Sequence, residues 1–194
     1  KFKYNIKILN GSKTLIYGGS GVGKSTLIDI LTCFIEPKKG RFNYGNYNIQ
    51  NFKSSYLKKI SYIPQSFMIF PETISYNIAF KEKFTQQEIT NLKKIYFICG
   101  LNKIEPIFEN IFKKKLLLNT PNLSGGEKQR LSFARSIYKK PEFLFIDEGL
   151  NALDVNSEIE ILSKTYKYLK KFTLVYISHR PIKKFFNKRI LIKK

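Results

Sequence analysis

Residues 18–25 read GGSGVGKS, a glycine, four variable positions, a glycine, a lysine and a hydroxyl residue. Gly18, Gly19, Gly21 and Gly23 let the backbone curl so that its amides converge on phosphate oxygens, with Ser20 and Val22 in the variable positions. Lys24 is placed to reach β and γ phosphates, and the Ser25 hydroxyl to ligate Mg²⁺. Asp147 and Glu148 follow the apolar run FLFI. One carboxylate held on a metal beside one free to take a proton from water makes a hydrolytic pair. The sole histidine, His179, follows another apolar run, FTLVYIS, where an imidazole can donate to a γ-phosphate or an attacking water. A second anion site is written at Ser124, which begins an S-x-x-E capping box with Glu127. The box does not require Gly125 and Gly126, which cost helix stability and suit close approach of an anion to bare amides. One domain therefore carries two phosphate-binding devices, 100 residues apart (124 − 24 = 100).

These groups need a scaffold that presents them together. KTLIY is expected to give a strand over Thr14–Tyr17, and the glycine loop then opens a helix from Lys24 to Phe34. That helix adds the positive end of its dipole to the loop. KKISYIPQ reads as a strand ending at Pro64, FLFI as a strand over Phe143–Ile146, and FTLVYI as a strand over Phe172–Ile177. Between them, residues 71–120 change character. Ile89, Leu92, Ile95 and Tyr96 recur at helical spacing, and Gly100 is a stop. QRLSFARSIYKK continues the Ser124 helix amphipathically until Pro141. Strands alternating with helices imply an α/β fold with a mainly parallel sheet flanked by helices, and polar residues just after the strands lie where such sheets bind ligands.

Composition narrows the class. A chain of 194 residues with 43% hydrophobic residues suits one core with a smaller inserted lobe. Its 35 basic and 14 acidic residues give a net charge of +21. The excess is mostly lysine scattered in pairs such as Lys58-Lys59 and Lys139-Lys140, in a chain rich in Lys, Asn, Ile, Phe and Tyr. That reads as a compositional bias and a solvated surface, and no specific nucleic-acid partner is expected. Cys33 and Cys99 make neither a metal pattern nor a disulfide framework, which fits a reducing cytosol. No apolar run approaches the roughly 18 residues of a membrane span, and no signal peptide opens at Lys1. The abrupt ends suggest a fragment of something longer.

Taken together, these residues resemble the nucleotide-binding domain of an ABC transporter over nearly the whole chain. The motifs occur in the family's order: phosphate loop (Gly18 to Thr26), Q-loop (Gln65), signature LSGGEKQR (Leu123 to Arg130), the acid Asp147 with its glutamate Glu148, D-loop (Ala152 to Asp154) and switch histidine (His179). The resemblance implies a P-loop NTPase with a RecA-like core of residues 1–65 and 136–194 and an inserted, mainly helical subdomain of residues 66–135. It implies ATP and Mg²⁺ as ligands, with Ser25, Gln65 and Asp147 at the metal and Glu148, His179 and Gln65 in catalysis. Thr26 joins the phosphate loop as a nucleotide contact. It also explains the two devices. Two domains pair head to tail, so that Ser124, Gly125, Gly126 and Glu127 of one chain, with Asp154, face the ATP held by Lys24 of the other.

The region IPQSFMIFPETISYNIAF, with Thr73-Ile74 and Asn77-Ile78, resembles the exporter branch, as do SIYKKPEFLFIDE and the pair His179-Arg180. A transmembrane domain docking beside Gln65 and the helical lobe, at the cytoplasmic face of a membrane, is the implied partner. The alternatives are an importer ATPase, with which Glu127 is compatible, and a soluble ABC protein acting on DNA or ribosomes. The chain departs from the pattern at four places. The aromatic that stacks on adenine falls upstream of Lys1, and the nearest candidate, Tyr4, is expected in an edge strand. LLLNTPNLSGG lacks the exporter glutamate before the signature. Gly149, Leu150 and Asn151 replace the small residues common before the D-loop. The family's tail beyond the last strand is not found.

Overall fold

A computed structural model describes residues 3–116, 123–179 and 185–193. The chain forms two compact units. The first comprises residues 1–62, 141–148 and 171–194, the second residues 63–140 and 149–170.

The first unit is built on a five-stranded sheet in the order β4 (Ile60–Ile63), β5 (Phe143–Asp147), β6 (Thr173–Ile177), β1 (Lys13–Tyr17), β7 (Lys188–Leu191). The pairs β5–β6, β6–β1 and β1–β7 are parallel. The unbroken apolar runs follow from that geometry, because central parallel strands are covered on both faces. All five residues of β6 are buried, and Leu144, Phe145, Ile146 and Asp147 of β5 with them. Ile16, Phe145, Val175 and Ile177 pack with Leu27 and Ile28 of helix α1 (Lys24–Leu31) and with Ile192. The register sets Ile16 beside Ile177 and Ile177 beside Asp147. The carboxyl ends of β1, β6 and β5 are therefore level, and the residues that follow them emerge at one edge.

Several boundaries differ from the sequence expectation. Helix α1 stops at Leu31, short of Phe34, because Cys33 turns left-handed (φ 61°) and the amides of Phe34 and Ile35 fold back onto the Asp29 carbonyl. Strand β6 begins at Thr173, one residue later than expected, while β1 and β5 each gain a residue, Lys13 and Asp147. Tyr4 lies in no strand. Helices over Lys53–Leu57 and Val155–Leu169 were not anticipated, nor were a hairpin and the last strand. A hairpin of β2 (Asn43–Tyr44) and β3 (Tyr47–Asn48) turns at Gly45 (φ 60°). Strand β7 adds the far edge of the sheet.

The second unit is mainly helical. It contains α3 (Ile74–Ala79), α4 (Gln86–Cys99), α5 (Gly125–Tyr138) and α6 (Val155–Leu169), with α3 and α4 packed on α5 and α4 on α6. A short helix, α2 (Lys53–Leu57), belongs to the first unit. The Thr85–Glu88 capping box starts α4, and Gly100 ends it in the left-handed conformation (φ 65°). Leu92, Ile95, Tyr96, Leu131, Ala134 and Ile137 are fully or almost fully buried. Helix α5 ends at Tyr138, and Lys140 (φ 51°) leads into Pro141.

The segment that resembles exporters is fastened by one amide. Asn77, fully buried, donates to the carbonyls of Phe70 (3.0 Å), Glu72 (3.3 Å) and Thr73 (3.0 Å) and accepts from the Phe70 amide at 2.8 Å. Arg135 donates to the Asn77 carbonyl (2.7 Å) and the Met68 carbonyl (3.0 Å), with its guanidinium over the rings of Phe70 and Phe80. Asn77→Ala is expected to lower unfolding free energy by about 1–3 kcal/mol, since several backbone groups lose a buried partner together. Urea denaturation checks this. An unchanged midpoint would show that the loop 70–73 stands without the amide.

Candidate functional site

The phosphate loop begins where β1 runs out. Gly18 (φ 154°) is confined by the residue that follows strand β7: a Cβ placed there would lie 2.4 Å from the Ile192 carbonyl oxygen. Gly21 (φ 71°) and Gly23 (φ 96°) make the turn. Gly23 is the N-cap of α1 and supplies no side-chain cap, and no acidic residue occupies the helix's first turn. The first amides of α1 thus keep their capacity for an external acceptor. Lys24 is 7% exposed, and its ammonium donates to the carbonyls of Gly18 (3.1 Å) and Gly19 (2.7 Å). Those bonds hold the charge over the loop. Tyr4, expected in an edge strand, instead donates its hydroxyl to the Gly23 carbonyl at 2.7 Å.

Ser25, the next residue of α1, hydrogen-bonds through its side chain to Asp147. Burial at the end of β5 pushes the Asp147 carboxyl above its ordinary range. The Ser25 bond pulls the other way, Glu148 and Asp29 raise it further, and Lys24 lowers it. A buried carboxylate with a hydroxyl beside it is a pair of hard oxygen donors, and a divalent cation supplies the charge that burial withholds. The residues fit magnesium held by two protein oxygens and substrate phosphates, the usual manner for that ion. Among the described residues no cluster of three or more His, Cys, Asp or Glu offers an all-protein cage.

Glu148 has a left-handed backbone (φ 53°), a strained conformation for a non-glycine residue, of order 1–3 kcal/mol. Its amide bonds to the Ile177 carbonyl (3.1 Å), which ties the turn to the end of β6. His179, two residues beyond that strand, places Nε2 2.9 Å from Glu148 Oε1, with half of the imidazole exposed. The first unit therefore brings together Lys24, Ser25 and Asp147, and pairs Glu148 with His179.

The second unit carries the other expected site residues. Gln65 is exposed, two residues past β4. Ser124 is the N-cap of α5. Its hydroxyl accepts from the Glu127 amide (3.2 Å) and its own amide donates to Glu127 Oε2 (2.7 Å), so the capping box forms as expected. The Glu127 amide is consequently not bare, and an anion there would meet the amides of Gly125 and Gly126. Both glycines also face a neighbour that was not foreseen. A Cβ on Gly125 would lie 3.2 Å from Ala152 Cβ, and one on Gly126 would lie 3.1 Å from Leu153 Cδ2 and 3.3 Å from the Ala152 carbonyl oxygen. Asp154 caps α6 by accepting from the Ser157 amide at 2.9 Å, and bonds from Ser157 hold its carboxyl below the usual range. Arg180 and residues 117–122, on which two of the exporter comparisons rest, lie outside the described residues.

Comparison with known proteins places these motifs in context. Residues 3–151 match the ABC transporter family. The chain is 34% identical over 183 residues to the ATP-dependent lipid A-core flippase of Wigglesworthia glossinidia brevipalpis, covering 91% of this chain and 30% of the flippase. It is 34% identical over 180 residues to the ATP-dependent permease MDL1 of Candida albicans, covering 91% of this chain and 26% of the permease. The fold matches a bacterial Atm1-family ABC exporter solved with ATP bound, with a TM-score of 0.83 and 27% identity over 99% of this chain and 35% of the exporter chain. The chain thus spans about a third or less of these proteins. Among the described residues no helix is long and apolar enough to cross a membrane.

Asp147→Asn removes the buried charge while keeping an acceptor for Ser25. A carboxyl with a raised folded pKa favours the folded state when protonated and loses that contribution as pH rises through the folded value. The variant without nucleotide is therefore expected to melt at a higher temperature than the parent at pH 7, with the gap closing toward pH 4. Its gain in melting temperature from magnesium and ATP should shrink. A variant less stable at pH 7 would show that the bond from Ser25 outweighs burial.

Proposed function

The chain belongs to the ABC transporter family, and from that premise we propose that it is the ATP-binding and ATP-hydrolysing unit of an exporter. The observation that carries this reading is the convergence of the Gly18–Ser25 loop, the Ser25–Asp147 pair and the Glu148–His179 pair at one end of a parallel sheet. The loop amides and Lys24 bind the phosphates, with Ser20, Val22 and Thr26 completing the loop. Ser25 and Asp147 would hold magnesium, which when bound would neutralise phosphate charge and orient the γ-phosphate, and the family resemblance adds Gln65 to its ligands. Glu148 takes a proton from the attacking water. The new bond joins water oxygen to the γ-phosphorus, the bond to the β–γ bridging oxygen breaks, and ADP and phosphate leave. His179 holds the Glu148 carboxylate through its Nε2–H, so the base does not depend on a free rotamer.

Head-to-tail pairing of two copies accounts for the second device. In this arrangement Ser124, Gly125, Gly126 and Glu127 close on the ATP held by Lys24 of the other copy, with Asp154 close by. A transmembrane domain, in the same polypeptide or a separate one, converts closure into movement of its cargo at the cytoplasmic face of a membrane. The likeness to a flippase, a permease and an exporter structure favours export.

Glu148→Gln is expected to bind ATP but to turn it over at least about a hundredfold more slowly, the scale of a lost general base. Near-normal turnover would move the base elsewhere. The pairing is tested by mixing Lys24→Ala chains with Ser124→Arg chains, each inactive alone. Head to tail, one site of the mixed pair carries both lesions and the other none, so turnover returns. If cross-linking shows mixed pairs and turnover stays absent, the signature serves its own loop and the reading fails.

A further inference from the structure

Tyr4 takes no part in the phosphate chemistry as described, yet its hydroxyl donates to the Gly23 carbonyl at 2.7 Å. The same carbonyl accepts the Leu27 amide at 2.9 Å, the bond that opens helix α1. One oxygen therefore serves two donors, as its two lone pairs allow. The first donor belongs to the helix, and the second comes from 19 residues upstream of Gly23. The local sequence holds the phenol in place. Over residues 3–8 exposure alternates, with Lys3, Asn5 and Lys7 exposed and Tyr4, Ile6 and Ile8 half-buried. Those three pack against the core cluster that includes Leu27 and Ile28, and Val22 of the phosphate loop packs against it too. The hydroxyl is thus carried on an anchored ring. Burial raises the Tyr4 phenol above its ordinary value, so it remains a donor at neutral pH.

We propose that Tyr4 is a positioning residue that aims the first amide of α1 at the phosphates of the nucleotide. The proposal rests on the ATP-binding reading above. Gly23 has no side chain and a left-handed backbone (φ 96°), so hydrogen bonds must fix the peptide that follows it. The Leu27 bond ties that peptide to α1, and the Tyr4 bond ties it to a separate segment of the core. Among the described residues every peptide is trans. The Lys24 N–H therefore lies in one plane with the Gly23 C=O and points the opposite way. Holding the oxygen on one side sets the direction of the N–H on the other. Lys24 is the first residue of α1, and its amide is the first of the four that a helix leaves without an intrahelical partner. A donor on the carbonyl also polarises the peptide, which strengthens its N–H toward an anion.

Tyr4→Phe keeps the ring and removes the donor. Binding of ATP, ADP and inorganic tripolyphosphate, each with magnesium, is measured by calorimetry on the folded chain. All three are expected to bind about three- to tenfold more weakly, the scale of one hydrogen bond. Tripolyphosphate has neither base nor sugar, so its loss of affinity assigns the effect to the phosphates. Weaker ATP and ADP with unchanged tripolyphosphate would mean that the hydroxyl serves the nucleoside, and overturns the proposal. A lower melting temperature with all three affinities unchanged overturns it as well, since a merely structural tyrosine would give that result. Should Tyr4→Phe not fold, a ring-fluorinated tyrosine at position 4 offers a more acidic donor on the same ring. At a pH where it stays protonated it is expected to tighten all three ligands, and unchanged affinities overturn the proposal. A parent chain that binds neither ATP nor tripolyphosphate sinks the ATP reading, and the proposal with it, before Tyr4 is changed. A parent that binds ATP but not tripolyphosphate leaves that reading standing and overturns the proposal alone.

Discussion

Burial of the Asp147 carboxylate is the constraint around which the core unit is arranged. A strand such as FLFID must be covered on both faces, and its last residue is a group that burial disfavours in the charged form. The unit answers with a hydroxyl from Ser25, the charge of Lys24 and the level ends of three parallel strands. Each depends on the others. Ser25 reaches Asp147 because α1 starts there, α1 starts there because Gly23 turns the chain, and Gly18 can turn it first because it lacks the Cβ that would strike Ile192. Ile192, just past strand β7 and remote in sequence, is therefore part of the phosphate loop's wall.

The helical unit solves a different problem with the same residue type. Read from sequence, Gly125 and Gly126 are explained by an anion approaching bare amides. The structure adds a reason that operates before any ligand arrives, because the turn of Ala152 and Leu153 occupies the missing side-chain space. The two explanations are compatible, since one concerns the amides and the other the Cβ positions. Substitution of either glycine consequently perturbs two things at once, and loss of activity in such a variant does not by itself identify an anion contact.

What was legible followed from how strong and how local each signal is. The β1–loop–α1 unit is written by an apolar run, four glycines and a lysine in a fixed order, and β5 and β6 by unbroken apolar runs that only a doubly covered strand explains. A capping box announced α5, and helical spacing closed by Gly100 announced α4. The hairpin escaped because its strands are two residues each, though Tyr44-Gly45-Asn46-Tyr47 carries a two-residue turn signal. Strand β7 escaped because lysine and arginine open it, leaving Ile190 and Ile192 as a faint alternation. The end of α1 depended on Cys33, a residue with no ordinary preference for the left-handed region. Lys24, Ser25, Asp147, Glu148 and His179 were all legible as chemistry. Tyr4 was not, because a hydrogen bond to a distant backbone group leaves no periodicity.

The two helix starts differ in a way that bears on how each would meet phosphate. Helix α1 begins at a glycine with no side-chain cap and no acid in its first turn, so its dipole and amides lack an internal counter-charge. Helix α5 begins with a serine cap and a glutamate that returns to the serine amide, so it is complete by itself. A helix start of the first kind gains most from an anion held continuously. One of the second kind must loosen its own cap, or admit the anion beside Glu127, and so is stable whether or not the anion is there. That asymmetry is compatible with the head-to-tail pairing proposed above, in which the phosphate loop carries the nucleotide and the signature meets it only on closure. It also gives Glu127 a role distinct from contact: its carboxylate completes the capping box that starts α5.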